Sequence, residues 1–144
     1  MKRTAEIAKQ MSLILPTLIR HMYPYVFSPL RLPPSQVLAI STLFEKGACR
    51  LNVLSREMHI SAPTVTGIVR RLEKAGYVKR TPDSSDRRAF HIMLTSRGVK
   101  ILLEFRSNIM KRWQTILTKL PAQEQENILK VVSRIAKGFS DGVI

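Results

Sequence analysis

Apolar residues recur every three or four positions through most of this chain, which is the period of one helix face. In residues 4–22 this apolar stripe is interrupted by Pro16. A proline inside a helix lacks the backbone donor and crowds the preceding turn, so we expect a kink or a break there, with Pro24 and Pro29 ending the helix. The same period predicts further helices at 34–46, 51–58 and 62–75, with an extended link at 48–50 and a turn at 59–61.

The period changes from 3.6 to 2 in the middle of the chain, which indicates strands. Residues 77–81 and 90–94 alternate like the two arms of a β-hairpin, and Pro82 to Ser85 are expected to make its turn. Helical spacing then returns. Thr95 is placed to cap a long helix, and Pro121 is placed to begin another that carries its apolar residues on one face.

This order of elements predicts a mainly α fold with a small β-hairpin wing, in which two helices, a short turn and the hairpin form a winged helix-turn-helix. The helices at the two ends of the chain carry wide apolar stripes, which need burial. A homodimer in which the first helix and the last two interlock with their copies would bury them. The alternative is that the terminal helices pack only on the centre of their own chain.

The net charge indicates a polyanionic partner. The chain has 24 Lys and Arg against 10 Asp and Glu, for a formal charge of +14. So high a charge in 144 residues costs self-repulsion, which favours nucleic acid as the partner ahead of an anionic membrane. The alternative is a cationic surface that is only solvated.

Other kinds of chemistry find little support in the sequence. No run of about 18 apolar residues predicts a membrane span, and the first ten residues are not expected to be a secretory signal. Cys49 is the single cysteine; we expect a reducing, cytoplasmic compartment and a small buried side chain, with a redox switch as the alternative. The three histidines lack metal-ligand spacing and no nucleophile or paired-carboxylate motif occurs, so we expect no metal site, no cofactor and no enzymatic activity.

The helix predicted at 62–75 divides into two faces. Val65, Ile68, Val69 and Leu72 fall on one side, which is predicted to face the core. The other side is small at its N-terminal end and cationic further along. Such a face suits a DNA major groove, because the backbone can approach base edges while the long cations reach bases or phosphates. The candidate DNA contacts of this element, including an expected N-cap at its first position, are Ser61, Pro63, Thr64, Thr66, Gly67, Arg70, Arg71 and Lys74. The alternative is a surface helix whose charges are only solvated.

The run VTGIVRRLEKAGYVKRTPDSSDRRAFHIMLTSRG resembles the recognition helix and wing of MarR-type transcriptional regulators, with their D-R-R wing tip and the L-T-x-x-G that opens the next helix. The earlier LPPSQVLAISTL is similar to their second helix, and with the terminal helices the resemblance covers nearly the whole chain. It implies a winged helix-turn-helix lobe at 32–98 and dimerisation helices at 1–31 and 99–144. It also implies a homodimer that binds a pseudo-palindromic operator on double-stranded DNA, usually as a repressor.

Carried over residue by residue, the resemblance pairs Asp86 with Arg88, so that the carboxylate holds an arginine aimed at the minor groove. It makes Arg87 the adjacent basic contact, and it places the wing at 82–88 in the minor groove and the 62–75 helix in the major groove. Gly67 departs from the family, in which a longer and often basic residue is common at that position. The peroxide-sensing members carry their cysteine in the first helix, which has none here, so oxidation sensing does not carry over.

Many regulators of this type are released by a small ligand, often an aromatic anion. His21, Met22, Tyr23 and Tyr25 lie close together in the sequence and could line a pocket for such an effector, with ordinary packing near a dimer interface as the alternative. Two other classes of function are less favoured. One is a winged-helix protein-interaction or RNA-associated module without operator specificity, and the other is a subunit of a DNA-processing enzyme, for which no catalytic residues are present.

Overall fold

The computed structural model describes residues 2–86 and 88–142 of the chain. These residues divide into two compact units, one ending at Ile109 and the other beginning at Met110. The helices are α1 (Lys2–Val26), α2 (Pro34–Lys46), α3 (Leu51–Met58), α4 (Ala62–Lys74), α5 (Ser96–Leu117) and α6 (Ala122–Ser140). The strands are β1 (Cys49–Arg50), β2 (Val78–Pro82) and β3 (Phe90–Leu94), and a single 3-10 turn follows α1 at Ser28–Leu30. The predicted fold class, mainly α with a small β wing, is confirmed.

The first helix contains both of its prolines. α1 continues through Pro16 and Pro24 to Val26, so the helix is not broken at Pro16, and the expectation that it ends at Pro24 was wrong. A proline removes a single backbone donor, and the neighbouring amides keep their own partners. Beyond Pro24, the Phe27 amide still donates to the Tyr23 carbonyl oxygen at 3.0 Å. Pro29 lies past the end of the helix, in the 3-10 turn.

The core of the first unit is formed where α2, α3 and α4 meet the sheet. The four apolar residues predicted to face inwards on α4 are buried, none more than 3% exposed. Cys49 is also buried, as expected of a small apolar side chain. The remaining buried side chains of this core come from every neighbouring element: Ala39, Ile40, Leu43, Leu54, Met58, Val78, Ile92 and Leu102. The core therefore fixes the orientation of α4, leaving its opposite side to solvent.

The turn between α3 and α4 is short and internally bonded, as predicted for 59–61. His59 adopts a left-handed conformation with φ of 53°, which ends α3. The Ile60 amide donates to the Ser55 carbonyl oxygen at 3.2 Å, and the Ser55 hydroxyl donates to the Ile60 carbonyl oxygen at 2.5 Å. These bonds hold α3 and α4 in a helix-turn-helix.

The hairpin is confirmed, and it belongs to a three-stranded antiparallel sheet of order β1-β3-β2. The link at 48–50 was predicted only as extended, whereas Cys49 and Arg50 form a strand that pairs with β3. Pro82 pairs with Phe90 at the end of the ladder, so the expectation that it belongs to the turn was wrong. Pairing needs a partner that is distant along the chain, which local periodicity does not reveal.

The L-T-x-x-G segment closes the wing against α5. Thr95 caps α5 as predicted, since its hydroxyl oxygen accepts the Gly98 amide proton at 3.1 Å. The same hydroxyl donates to the Gly76 carbonyl oxygen at 2.6 Å. Gly98 lies so close to the strand that a Cβ at this position would stand 2.1 Å from the Tyr77 carbonyl oxygen. The glycine is required here for space.

The terminal helices leave their apolar stripes in solvent. α1 buries only Val26, and α6 buries no side chain. Large apolar residues between 38% and 69% exposed lie along both helices: Ile7, Met11, Leu13, Ile14, Leu15, Leu18 and Ile19 on α1, with Leu129, Val131, Val132, Ile135 and Phe139 on α6. These apolar side chains are therefore exposed in the single chain. No described helix is both long enough and apolar enough to cross a membrane.

Candidate nucleic-acid interface

The outward face of α4 carries the residues that the sequence singled out. Within and just before this helix, Ser61, Pro63, Thr64, Thr66, Arg70, Arg71 and Lys74 are exposed, and Gly67 is half-buried. A Cβ added at Gly67 would meet nothing within 4 Å, so the backbone on this side is open to a close approach. The N-terminal half of the face carries small side chains, and the C-terminal half carries three long cationic side chains.

The small hydroxyl residues at the start of α4 bond to one another and to the helix. Ser61 was expected to cap α4, but its hydroxyl lies 2.8 Å from the Thr64 hydroxyl and makes no bond to a backbone amide of the first turn. The Thr66 hydroxyl donates to the Ala62 carbonyl oxygen at 2.8 Å. The first turn of α4 thus has no side-chain cap, and such a helix end attracts an anion because its amides point outwards.

Within 2–86 and 88–142, no carboxylate neutralises the cations of α4. Among the described residues, Arg70, Arg71 and Lys74 form no ion pair. The one acidic residue of the helix, Glu73, is bonded instead to Arg80 of β2, with 3.2 Å between the Glu73 carboxylate oxygen and Arg80 Nε. This contact also ties the recognition helix to the hairpin.

The turn of the wing is organised by Asp83, which sequence reasoning did not single out. Its Oδ1 accepts from the Ser85 hydroxyl at 2.6 Å and the Ser85 amide at 2.8 Å, and its Oδ2 accepts from Arg50. These bonds, with those of Ser85 contributing most, hold the pKa of the Asp83 carboxyl far below its usual range. The hydrogen bond with Asp83 in turn raises the pKa of the Arg50 guanidinium. The sequence D-S-S at 83–85 could have suggested this role of Asp83, because Asp and Ser side chains bond locally in turns.

Asp86 holds Arg88, but it does so through the main chain. Asp86 Oδ1 accepts the Arg88 amide proton at 2.9 Å, and no carboxylate of the described residues lies within ion-pair distance of the Arg88 guanidinium. Asp86 thus holds Arg88 by a hydrogen bond to its main chain and not by an ion pair. The side chain of Arg88 remains exposed and free to reach an anion. Arg87 lies outside the described residues.

The four residues suggested for an effector lie in the last turns of α1. His21 Nδ1 is 2.8 Å from the Thr17 carbonyl oxygen, and His21 lines an open groove with Leu13, Ile14, Thr17 and Leu18. The Tyr23 ring contacts Phe27 at 5.0 Å between centroids, and Phe27 in turn contacts Phe105 at 5.5 Å. Met22 is half-buried, and Tyr25 is exposed. Nowhere in 2–86 or 88–142 do three His, Cys, Asp or Glu side chains come together as metal ligands.

Comparison with known proteins agrees with this geometry. The family model described as MarR family matches residues 32–90. The HTH-type transcriptional regulator FarR of Neisseria gonorrhoeae is 33% identical over 98 residues, which cover 68% of this chain and 67% of FarR. The HTH-type transcriptional repressor MdtR of Bacillus subtilis (strain 168) is 24% identical over 143 residues, which cover 95% of this chain and 92% of MdtR.

Solved structures show the same fold. A MarR family protein from Bacillus stearothermophilus superimposes with a TM-score of 0.83 at 22% identity, covering 96% of each chain. The F27L mutant of MepR from S. aureus, bound to an oligodeoxyribonucleotide, superimposes with a TM-score of 0.68 at 21% identity, covering 89% of this chain and 96% of MepR. With the uncapped, cationic recognition helix beside an anchored wing, these likenesses lead to one conclusion. The chain belongs to the MarR family and is a DNA-binding helix-turn-helix transcriptional regulator.

Proposed function

We propose that this regulator is a homodimer that represses transcription in the cytoplasm by binding a pseudo-palindromic operator. In each protomer α4 enters the major groove and the wing at 82–88 follows the adjacent minor groove. The observation that carries the proposal is the outward face of α4: its three cations pair with no carboxylate of the described residues, and its first turn carries small side chains and no side-chain cap.

The two halves of this face have different tasks in the proposal. The N-terminal half carries only small side chains, among them Pro63, Thr64 and Gly67, so the helix can approach base edges closely. Arg70 reads bases, while Arg71 and Lys74 neutralise flanking phosphates. Phosphate contacts supply affinity that is independent of sequence, and base contacts supply the choice of operator.

The wing supplies a second, independent contact. Arg88 is exposed, and its backbone is held by Asp86, so its guanidinium can enter a narrow minor groove, where the negative potential attracts arginine. Arg87 is proposed to contact a phosphate beside it. A minor-groove arginine recognises groove width, which depends on the DNA sequence, and therefore adds specificity without a base-edge code.

Dimerisation is supported by the apolar stripes of α1 and α6, which remain in solvent along most of their length. Exposed apolar surface of this extent marks an association site. A further apolar groove of about 310 Å³ lies between α5 and α6 within the second unit, and it is lined by Trp113, Leu117, Gln125, Ile128, Leu129 and Val132. Two-fold symmetry would place two copies of α4 about one helical turn apart on the duplex. Repression is supported by the relative MdtR, whose name describes a repressor.

Selection of bound fragments from a random DNA pool tests specificity and symmetry together. The proposal predicts enrichment of a two-fold related sequence and, in sedimentation equilibrium, the mass of a dimer with and without the selected duplex. A monomer that enriches no sequence at physiological salt would contradict it. That outcome, or a preference for single-stranded RNA over duplex DNA, would favour the alternative module without operator specificity.

A small aromatic or anionic effector is a further part of the proposal. The aromatic contacts of Tyr23 with Phe27 and of Phe27 with Phe105 place flat apolar surface at the end of α1, near His21 and Met22. Salicylate is a suitable first probe because it combines an aromatic ring with an anion. The proposal predicts that salicylate releases the protein from the selected duplex, and that Tyr23→Ala needs a higher salicylate concentration for the same release. An unchanged concentration would contradict the role of Tyr23.

A further inference from the structure

Arg50 occupies a position that normally caps a helix. It is the N-cap residue of α3, where Ser, Thr, Asp and Asn are preferred, and it makes no capping hydrogen bond. Its guanidinium instead reaches Asp83, 33 residues further along the chain, with Nε at 3.0 Å and Nη2 at 2.5 Å from Oδ2. The Asp83 side chain is 5% exposed, whereas that of Arg50 is 43% exposed. A local stabilising contact is therefore absent, and a long-range contact with the wing is present in its place.

Asp83 joins three parts of the sheet. Its Oδ1 accepts both bonds from Ser85, and its amide donates to the Ala89 carbonyl oxygen at 3.0 Å across the turn. Its Oδ2 lies 3.6 Å from His91 Nδ1 as well as against Arg50. Arg50 and His91 are themselves cross-strand partners of β1 and β3. The carboxylate thus sits between the first strand, the third strand and the turn.

The contacts continue without a gap to the tip of the wing. The Ala89 amide donates to the Asp86 carbonyl oxygen at 2.9 Å, and Asp86 Oδ1 accepts the Arg88 amide proton at 2.9 Å. A chain of hydrogen bonds therefore links Arg50, beside the helix-turn-helix, to the backbone of Arg88. Because charged partners make stronger hydrogen bonds, the contact between Arg50 and Asp83 is a strong link between the turn and β1.

We propose that Arg50 and Asp83 are positioning residues, which set the direction of Arg88 into the minor groove and do not themselves contact DNA. This inference rests on the proposed placement of the wing. The competing role is that Arg50 contacts a phosphate and Asp83 merely reduces its charge. The two roles predict opposite signs for Asp83→Asn. Removing a negative charge near a polyanion strengthens binding if only charge matters, and it weakens binding if the wing loses its direction.

The test uses the duplex that the wild-type protein selects from random DNA. Affinity is measured together with protection from dimethyl sulfate, which methylates guanine N7 in the major groove and adenine N3 in the minor groove. The variants are Asp83→Asn, Arg50→Gln and the double variant. The matched control is Glu57→Gln, which also removes one negative charge and breaks an ion pair, that with Lys46 at 2.9 Å, between α3 and α2.

Both single variants are expected to bind about tenfold more weakly, the size of one lost specific contact. They should lose adenine N3 protection while keeping guanine N7 protection, a split that general unfolding would not produce. The double variant should bind no more weakly than the weaker single variant, since residues that act as one unit are not additive. Glu57→Gln should bind as well as the wild type or better.

Three results would overturn the inference. In the first, Asp83→Asn binds the duplex at least as tightly as Glu57→Gln does. In the second, Arg50→Gln keeps full adenine N3 protection while its slope of log K against log salt falls by about 0.9, which indicates a lost phosphate contact. In the third, the loss of binding free energy in the double variant equals the sum of the losses in the two single variants. If Asp83→Asn does not fold, the adenine N3 protection of the Arg50→Gln complex is sufficient to distinguish the two roles. A wild-type protein that selects no duplex would overturn the proposed function itself, and the inference with it.

Discussion

Replacing Gly98 by alanine tests whether the L-T-x-x-G segment is a steric requirement of the fold. The new Cβ would stand 2.1 Å from the Tyr77 carbonyl oxygen and 3.1 Å from both the Tyr77 carbonyl carbon and Leu94 Cδ2. A carbon normally approaches a carbonyl oxygen no closer than about 3.3 Å. The start of α5 and the Tyr77 backbone must therefore separate by about 1 Å.

The separation is costly because both sides are backbone. The Tyr77 carbonyl oxygen also accepts the Thr95 amide proton at 3.0 Å, and the Thr95 hydroxyl bonds Gly76 and Gly98 at the same junction. Overpacking costs about 1–3 kcal/mol. Alanine regains up to about 1 kcal/mol over glycine inside a helix, though less in a first turn. We expect a net loss of about 2 kcal/mol in the free energy of unfolding.

Gly67→Ala is the matched control, because it makes the same chemical change in a helix. A Cβ at Gly67 meets nothing within 4 Å, so only the gain in helix propensity remains, about 0.5–1 kcal/mol of stabilisation. Urea unfolding followed by circular dichroism measures both, at one fixed protomer concentration because association adds to stability. Equal stabilities for the two variants would refute the steric reasoning, and a destabilising Gly67→Ala would show that this face of α4 is not open.

Other expectations concern binding, reactivity and pH. Arg88→Ala should weaken binding to the selected duplex and lower the slope of log K against log salt by about one if the guanidinium neutralises a phosphate; an unchanged slope with a lost preference for A·T pairs would indicate that it recognises groove width. Arg70→Ala should change which duplexes are selected. Equal weakening of binding to all sequences would instead indicate that Arg70 contacts the DNA backbone. Burial raises the pKa of the Cys49 thiol, so iodoacetamide should modify it far more slowly in the folded protein than in guanidinium chloride, and equal rates would contradict its burial. Because the folded-state pKa of Asp83 is depressed, its contribution to stability is present above the unfolded value of about 3.9 and is lost only as the pH falls through the lower folded value. The difference in unfolding free energy between the wild type and Asp83→Asn should thus be constant from about pH 5 to 8 and shrink below about pH 4; a difference that stays constant below about pH 4 would contradict this reasoning.

Local patterns predicted most of the elements correctly. Residues 34–46 and 51–58 were predicted with the bounds that the structure has, and 62–75 is one residue longer than the observed helix. These segments carry their information locally, in the 3.6 period and in the Pro or Gly at their ends. The alternation at 90–94 predicted a strand, although Phe90 is 47% exposed while Ile92 is buried. Alternation identifies a strand, but the position of its neighbours decides how much of each face is covered.

Local sequence patterns were sufficient to predict the helical and hairpin segments, the inward face of α4 and its cationic outward face, because each of these depends on residues within a few positions of one another. Other features depend on how the elements pack against one another. Arg50 was unremarkable until β1 paired with β3 and brought it to Asp83, and Gly98 became essential only when α5 began against the Tyr77 carbonyl. Asp86, which the resemblance pairs with Arg88, accepts the backbone amide proton of Arg88. Such contacts join residues far apart in the chain or depend on the path of one turn, and no periodicity specifies either, because periodicity records only which side of an element a residue faces.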